Sequence, residues 1–195
     1  MNRKASVIAF VIATLIAGTV AFTQSQAPPP GSIKVPAEPI VKSLLVQLGD
    51  TKGPTQPIAF DHSIHAGKLG MDCLYCHYAA EKSPIANIPA VSTCMGCHKI
   101  AMTDRPEVQK LAGYFQRGET PQWNEVYHLP DHVKFNHVRH VKAGVACQTC
   151  HGPVQEMKQV YQYSSLKMGW CVSCHRQNLN HPTNPASMDC LVCHH

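Results

Sequence analysis

Charge is sparse in this sequence: Asp, Glu, Lys and Arg make up only 15% of its 195 residues. Long amphipathic runs are few, and Pro (15) outnumbers Gly (12), so regular secondary structure has little room. A chain this short and loop-rich buries too little apolar surface unaided, so something other than side chains must help fill its interior. Solitary cysteine is missing too. All ten cysteines fall in C-x-x-C pairs: Cys73/Cys76, Cys94/Cys97, Cys147/Cys150, Cys171/Cys174 and Cys190/Cys193. None is left over for thiol catalysis or a separate bridge.

What is present after each pair decides the chemistry. His follows the second Cys every time, as His77, His98, His151, His175 and His194. C-x-x-C-H is the attachment signature of c-type haem. Two thiols add across the porphyrin vinyl groups and the adjacent imidazole reaches the iron, so one rigid macrocycle sets the spacing. Structural zinc also uses C-x-x-C pairs, and disulfides also consume cysteines in twos. Neither requires His at the next position five times over. The cofactor expectation is five covalent c-type haems. Every motif keeps its His and none substitutes Lys, which argues against a catalytic multihaem reductase.

Covalent haem attachment occurs outside the bacterial cytoplasm, so the domain must be exported. Asn2-Arg3-Lys4 is a basic lead and residues 5–22 are an uncharged apolar run. As a helix that run spans about 27 Å, close to the ~30 Å hydrocarbon core. It predicts one N-terminal transmembrane helix, with the basic end inside and the haem domain outside. A cleaved signal peptide is the other reading, since Ser25-Gln26-Ala27 offers a small-x-small site. Residues 1–27 are thus anchor or signal, 28–56 a Pro-rich spacer, and 57–195 the pentahaem domain. The formal charge of +5 carries no nucleic-acid inference, because ten propionates would bring the oxidised holoprotein to about neutral.

The domain carries a duplication. Ile58–His65 matches Val133–His140 at an offset of 75, each copy holding F-x-H-x-x-H and leading into a motif. A second motif follows in each, CMGCHK and CVSCHR. Two di-haem modules, 57–99 and 128–176, are therefore expected, with a fifth haem on 177–195. The fold expected is mainly helical and irregular, short helices and loops around five haems with little strand. One fair helix is predicted after Thr103 or Asp104 as cap, with Pro106 in its first turn. Val108, Leu111, Ala112 and Phe115 would form its packing face.

Eight His lie outside the motifs. The repeated pairs His62/His65 and His137/His140 are expected as distal iron ligands. His128, absent from the first copy, is the choice for the fifth. His181 is close behind it, and His195 could reach only a neighbouring haem. His132 is the bland member, and Met168 and Met188 are possible thioether ligands that would raise a potential.

F-x-H-x-x-H ahead of C-x-x-C-H resembles the cytochrome c3 and c7 family. That resemblance implies His65 and His140 on the haems of Cys73/Cys76 and Cys147/Cys150. It puts His62 and His137 on those of Cys94/Cys97 and Cys171/Cys174. VSTCMGCHK, TDRPEVQKL, VYHLPDHVKFNHVRH and MGWCVSCHR together resemble the pentahaem subunit of alternative complex III, a quinol-oxidising respiratory complex. This implies an electron-transfer subunit, not itself an enzyme. Its partners would be an iron–sulfur subunit, polytopic quinol-binding membrane subunits and a monohaem cytochrome c. It would sit in the bacterial cytoplasmic membrane with its haems on the periplasmic side. Two alternatives stand beside it: a membrane-anchored quinol dehydrogenase of the tetrahaem type, and a free periplasmic shuttle.

Overall fold

The structure, a computed structural model, describes residues 53–195. The basic lead, the apolar run and the spacer up to residue 52 lie outside the described residues. Residues 53–56, spacer by composition, are tied into the haem domain. Gln159 Nε2 donates to the carbonyls of Gly53 (2.6 Å) and Pro54 (2.8 Å). Gln56 and the Asn124 backbone exchange two bonds of 2.9 Å. Among the described residues no helix is long and apolar enough to cross a membrane.

The described residues form helices and loops, without a strand. The α-helices are α1 (Cys73–Cys76), α2 (Val91–His98), α3 (Pro106–Arg117), α4 (His137–Lys142), α5 (Cys147–His151) and α6 (Met168–Gln177). A π-helical turn covers Ser63–Lys68, and 3₁₀ turns cover Tyr78–Glu81, Val154–Glu156 and Cys190–Val192. Each C-x-x-C begins or lies within one of these pieces. Most are far shorter than a self-sustaining helix, so local caps and tertiary contacts hold them. Asp72, Asn136 and Asp189 supply caps, accepting from the amides of Leu74, Arg139 and Leu191.

Helix α3 forms where expected but starts differently. Its N-cap is Arg105, extended and without a side-chain cap, rather than Thr103 or Asp104; Pro106 takes the first position. Leu111 is buried against Ile58 of the first module and Met95 of α2, with Val91, Cys94, Ala112, Tyr114 and Trp123 around them. Tyr114, not Phe115, completes this core. The direction in which α2 packs on Leu111 selects the i+3 neighbour over i+4. Phe115 is exposed under the Lys99 ammonium, 5.2 Å from its ring centre.

The two copies of the duplication pack reciprocally. The turn Ser63–Lys68 of the first lies on Val154–Glu156 of the second, and α4 of the second lies on Tyr78–Glu81 of the first. Backbone bonds repeat the exchange: Ser63 N donates to Met157 O (3.2 Å) and His137 N to Pro84 O (3.1 Å). The first meets the second as the second meets the first, an isologous contact inside one chain.

Candidate haem sites

Each F-x-H-x-x-H folds into the same three-ring unit. Phe60 stacks on His65 (4.4 Å between centres, 22°) and meets His62 edge-on (4.7 Å, 81°). Phe135 stacks on His140 (4.4 Å, 27°) and meets His137 edge-on (4.8 Å, 88°). The second imidazole is fixed by its own turn, Nδ1 of His65 donating to Asp61 O (3.0 Å) and of His140 to Asn136 O (2.9 Å). Both copies then reverse at a left-handed glycine, Gly70 (φ 63°) and Gly144 (φ 81°), where a side chain would be strained. The next amide bonds back to the second His: Met71 N to His65 O, 3.0 Å, and Val145 N to His140 O, 3.1 Å.

This reversal decides which motif faces which imidazole. Two imidazoles on opposite sides of one iron have ring centres roughly 6 Å apart, from metal–nitrogen bonds of about 2 Å. His65 stands 6.1 Å from His98, His140 6.1 Å from His175, and His137 6.4 Å from His151. His62 lies close enough to His77 for their charges to repel. The first His of each pair thus faces the first motif of its copy, and the second His the second motif. That corrects the expectation drawn from the cytochrome c3 and c7 resemblance, which crosses them. The physical reason is tertiary: the chain reverses at Gly70 and Gly144 between each pair and its first motif, so order along the chain does not set which rings meet.

Haem fits these residues. The His62 Nδ1 is buried without a hydrogen-bond partner, a polar atom the protein leaves unsatisfied. Burial, then repulsion from neighbouring imidazoles, holds His62 and His151 down at about 4, so both are neutral and keep a lone pair. Burial lowers His140 as well. Nδ1 of the motif residues His77, His98, His175 and His194 faces the carbonyls of Asn87, Ala101, Ser187 and His132 at 2.7–3.0 Å. A carbonyl only accepts, so Nδ1 carries the proton and Nε2 is free to bind iron. All ten cysteines are unpaired. Burial pushes six thiols up, Cys150 to about 11, which suits thioether formation sites better than thiolate nucleophiles. Every Cys and His of the chain lies in the described residues, and nowhere among these do three metal-ligating side chains converge as structural zinc requires.

Cys97 does not face the interior. It is exposed, as are Cys147 and Cys190, whereas Cys94 of the same motif is half-buried. The reason lies in α2. At 100° per residue, Cys97 stands roughly 200° around the helix from Met95. Met95 is buried against Leu111 and Ile58, so Cys97 is turned to the opposite side, towards solvent. Its backbone is nevertheless fixed, since the Cys97 carbonyl accepts from Ile100 N (3.1 Å) and Ala101 N (2.9 Å).

The fifth site differs from the other four. The His132 ring stands nearly parallel to that of His194, 5.7 Å away, and the His132 carbonyl accepts from the His194 Nδ1 (3.0 Å). His181 Nδ1 accepts from the amides of Thr183 (3.4 Å) and Asn184 (3.1 Å), which places its proton on Nε2 and disqualifies it as an Nε2 ligand. His195 is bound to Leu191 O (3.1 Å) beside His194. Met168 and Met188 are exposed. His128 is exposed, with Nδ1 3.2 Å from Glu125 Oε2, and the structure does not bring its ring to a motif imidazole.

Sequence reasoning missed Tyr127. Its ring meets His151 edge-on at 4.5 Å, and its buried hydroxyl donates to Tyr161 O (3.1 Å) and accepts from Tyr163 N (3.3 Å). Burial raises that hydroxyl to about 12, so it stays protonated and holds the ring against His151. The carbonyls of Pro84, Asn87 and Ser187 were also missed; backbone acceptors leave no side-chain signature.

Comparison with known proteins points to the same class of cofactor. Residues 133–195, the second copy and the fifth motif, match the family of cytochrome c7 and related cytochrome c. A curated relative, the multiheme cytochrome c subunit of menaquinone reductase from Nitratidesulfovibrio vulgaris (strain Hildenborough), is 28% identical over 160 residues. The match covers 71% of this chain and 76% of the relative. The chain thus has a helical architecture without strands among its described residues, c7-like over 133–195, with residues arranged for covalently bound c-type haem.

Proposed function

We propose that this chain is a five-haem electron-transfer subunit anchored in the bacterial cytoplasmic membrane. It would relay electrons from a quinol-oxidising complex to a periplasmic acceptor, as the resemblance to the alternative complex III subunit implies. The observation that carries the electron-transfer reading is the pairing of imidazoles across iron-sized gaps at the motif positions. Irons held on both faces by His exchange electrons and offer no substrate position. The ten motif cysteines would hold the haems, with His77, His98, His151, His175 and His194 proximal. His62, His137, His65 and His140 would be distal for the first, third, second and fourth motifs. The protein's own work is to hold His62, His140 and His151 neutral by burial and to orient the other imidazoles by backbone carbonyls. The fifth distal ligand in this reading is His128, whose Nδ1 is braced by Glu125 and whose Nε2 is free. His128→Ala should then turn one haem high-spin by EPR, and His132→Ala none; the reverse result removes His128 from the ligand set.

Expected partners are an iron–sulfur subunit, polytopic quinol-binding subunits and a monohaem cytochrome c. The name of the menaquinone reductase relative supports a second reading, in which electrons run towards a quinone instead. Purification of the native protein from membranes tests both. Retention of residues 5–22 by mass spectrometry, five haems per chain by denatured haemochrome assay, and co-purifying iron–sulfur and polytopic subunits are expected. Four or fewer haems, or a mature N-terminus near Pro28 with no membrane partners, refutes the proposal. Reduction of the co-purified complex by a quinol, against oxidation by a quinone, decides the direction.

A further inference from the structure

The duplication fixes more than ligand pairs. Cys73 and Cys147 are equivalent residues of the two copies, each opening the first motif of its copy, and their thiols lie close enough to interact. Equivalent residues of two reciprocally packed copies meet each other only on the axis relating them. The exchanged contacts of Ser63–Lys68 and α4 place the same axis between the first motifs. The two motifs that each copy keeps to itself, at Cys94/Cys97 and Cys171/Cys174, are then on the outside. Cys94 sits beside Cys76 within the first copy, and Cys150 beside Cys174 and Cys171 within the second.

The fifth motif attaches to the second copy. His175 Nδ1 donates to Ser187 O (2.7 Å) ahead of that motif, and Lys134 N donates to Cys193 O (2.7 Å) within it. Cys193 in turn lies near Cys171. No comparable bond ties it to the first copy among the described residues.

We infer that the five attachment sites form one line whose order in space is Cys94/Cys97, Cys73/Cys76, Cys147/Cys150, Cys171/Cys174, Cys190/Cys193. The inference rests on the five-haem reading above. Chain order and spatial order differ because the copies join through their first motifs, so the second motif is a terminus. An external donor and acceptor then have two places to exchange electrons: the corner of α2 and α3, and the turn Cys190–Val192. Cys97 at the first and Cys190 at the second are exposed, as is Cys147 at the junction. The junction between copies is the step that every electron crossing the subunit must take.

Iron positions in the native holoprotein, by cryo-electron microscopy or anomalous diffraction, test this directly. The expected result is that each iron's nearest neighbour along the path is the one named, with the Cys94/Cys97 and Cys190/Cys193 irons farthest apart. An iron at Cys94/Cys97 lying nearest to that of Cys147/Cys150 or Cys190/Cys193 would overturn the order. So would a Cys190/Cys193 iron adjoining the first copy. A haemochrome count below five in the same sample is a different failure, since it removes the five-haem reading rather than the order.

Discussion

His140→Ala is expected to leave one iron, that held at Cys171 and Cys174, open on one face. The imidazole it removes stands 6.1 Å from His175, is held by Asn136 O at 2.9 Å, and stacks on Phe135. No spare imidazole is poised to replace it, because its neighbour His137 is held by Pro84 O (2.8 Å) and faces His151. Expected readouts are one new high-spin EPR signal and one more carbon monoxide bound per chain than in wild type, with the remaining haems unaltered. The cytochrome c3 and c7 resemblance instead assigns the opened iron to Cys147/Cys150. Removing Cys171 and Cys174 from the same variant separates the two. Loss of the new carbon monoxide signal supports the pairing described, and its persistence refutes it. His65→Ala is the matching experiment on the first copy, with Cys94/Cys97 as the site opened.

A large loss of stability is expected at Gly67. A Cβ there would clash with the Gln155 carbonyl oxygen, across the contact between the two copies. That oxygen is backbone and cannot swing aside, so the copies must part locally. Overpacking of this kind costs about 1–3 kcal/mol, and more where backbone must move. Gly113→Ala is the control. It lies inside α3 and meets only the flexible Arg117 guanidinium, at 3.1 Å. Gly to Ala in a helix interior gains about 0.5–1 kcal/mol. Denaturant unfolding of the holoprotein should move the two variants in opposite directions. A Gly67→Ala variant as stable as wild type would mean that Ser63–Lys68 does not pack on Val154–Glu156 as described.

The cofactor class was legible in sequence because the chemistry is covalent and local. Two thiols and an imidazole must reach one macrocycle, so Cys73-x-x-Cys76-His77 and its four repeats declare themselves without tertiary information. The duplicated F-x-H-x-x-H was legible for a similar reason: Phe60 and Phe135 lie within two to five residues of the rings they touch. Helix α3 was visible from its period and Pro106. Its inward neighbour was not, because Tyr114 and Phe115 are equally placed on an isolated helix and only the approach of α2 chooses. The exposure of Cys97 was hidden likewise, since the motif is the same whichever side of α2 packs inward.

Which imidazole meets which motif was beyond one-dimensional reading. It turns on the course the chain takes after the reversals at Gly70 and Gly144. His132 is similar: only tertiary packing sets its ring 5.7 Å from that of His194. By itself, then, the sequence determined the class of cofactor and how many C-x-x-C-H motifs the chain carries, through bonds between near neighbours. Tertiary structure alone decided which imidazoles stand opposite which motif residues. Those relations span tens of residues and depend on how two equivalent copies pack across a shared axis.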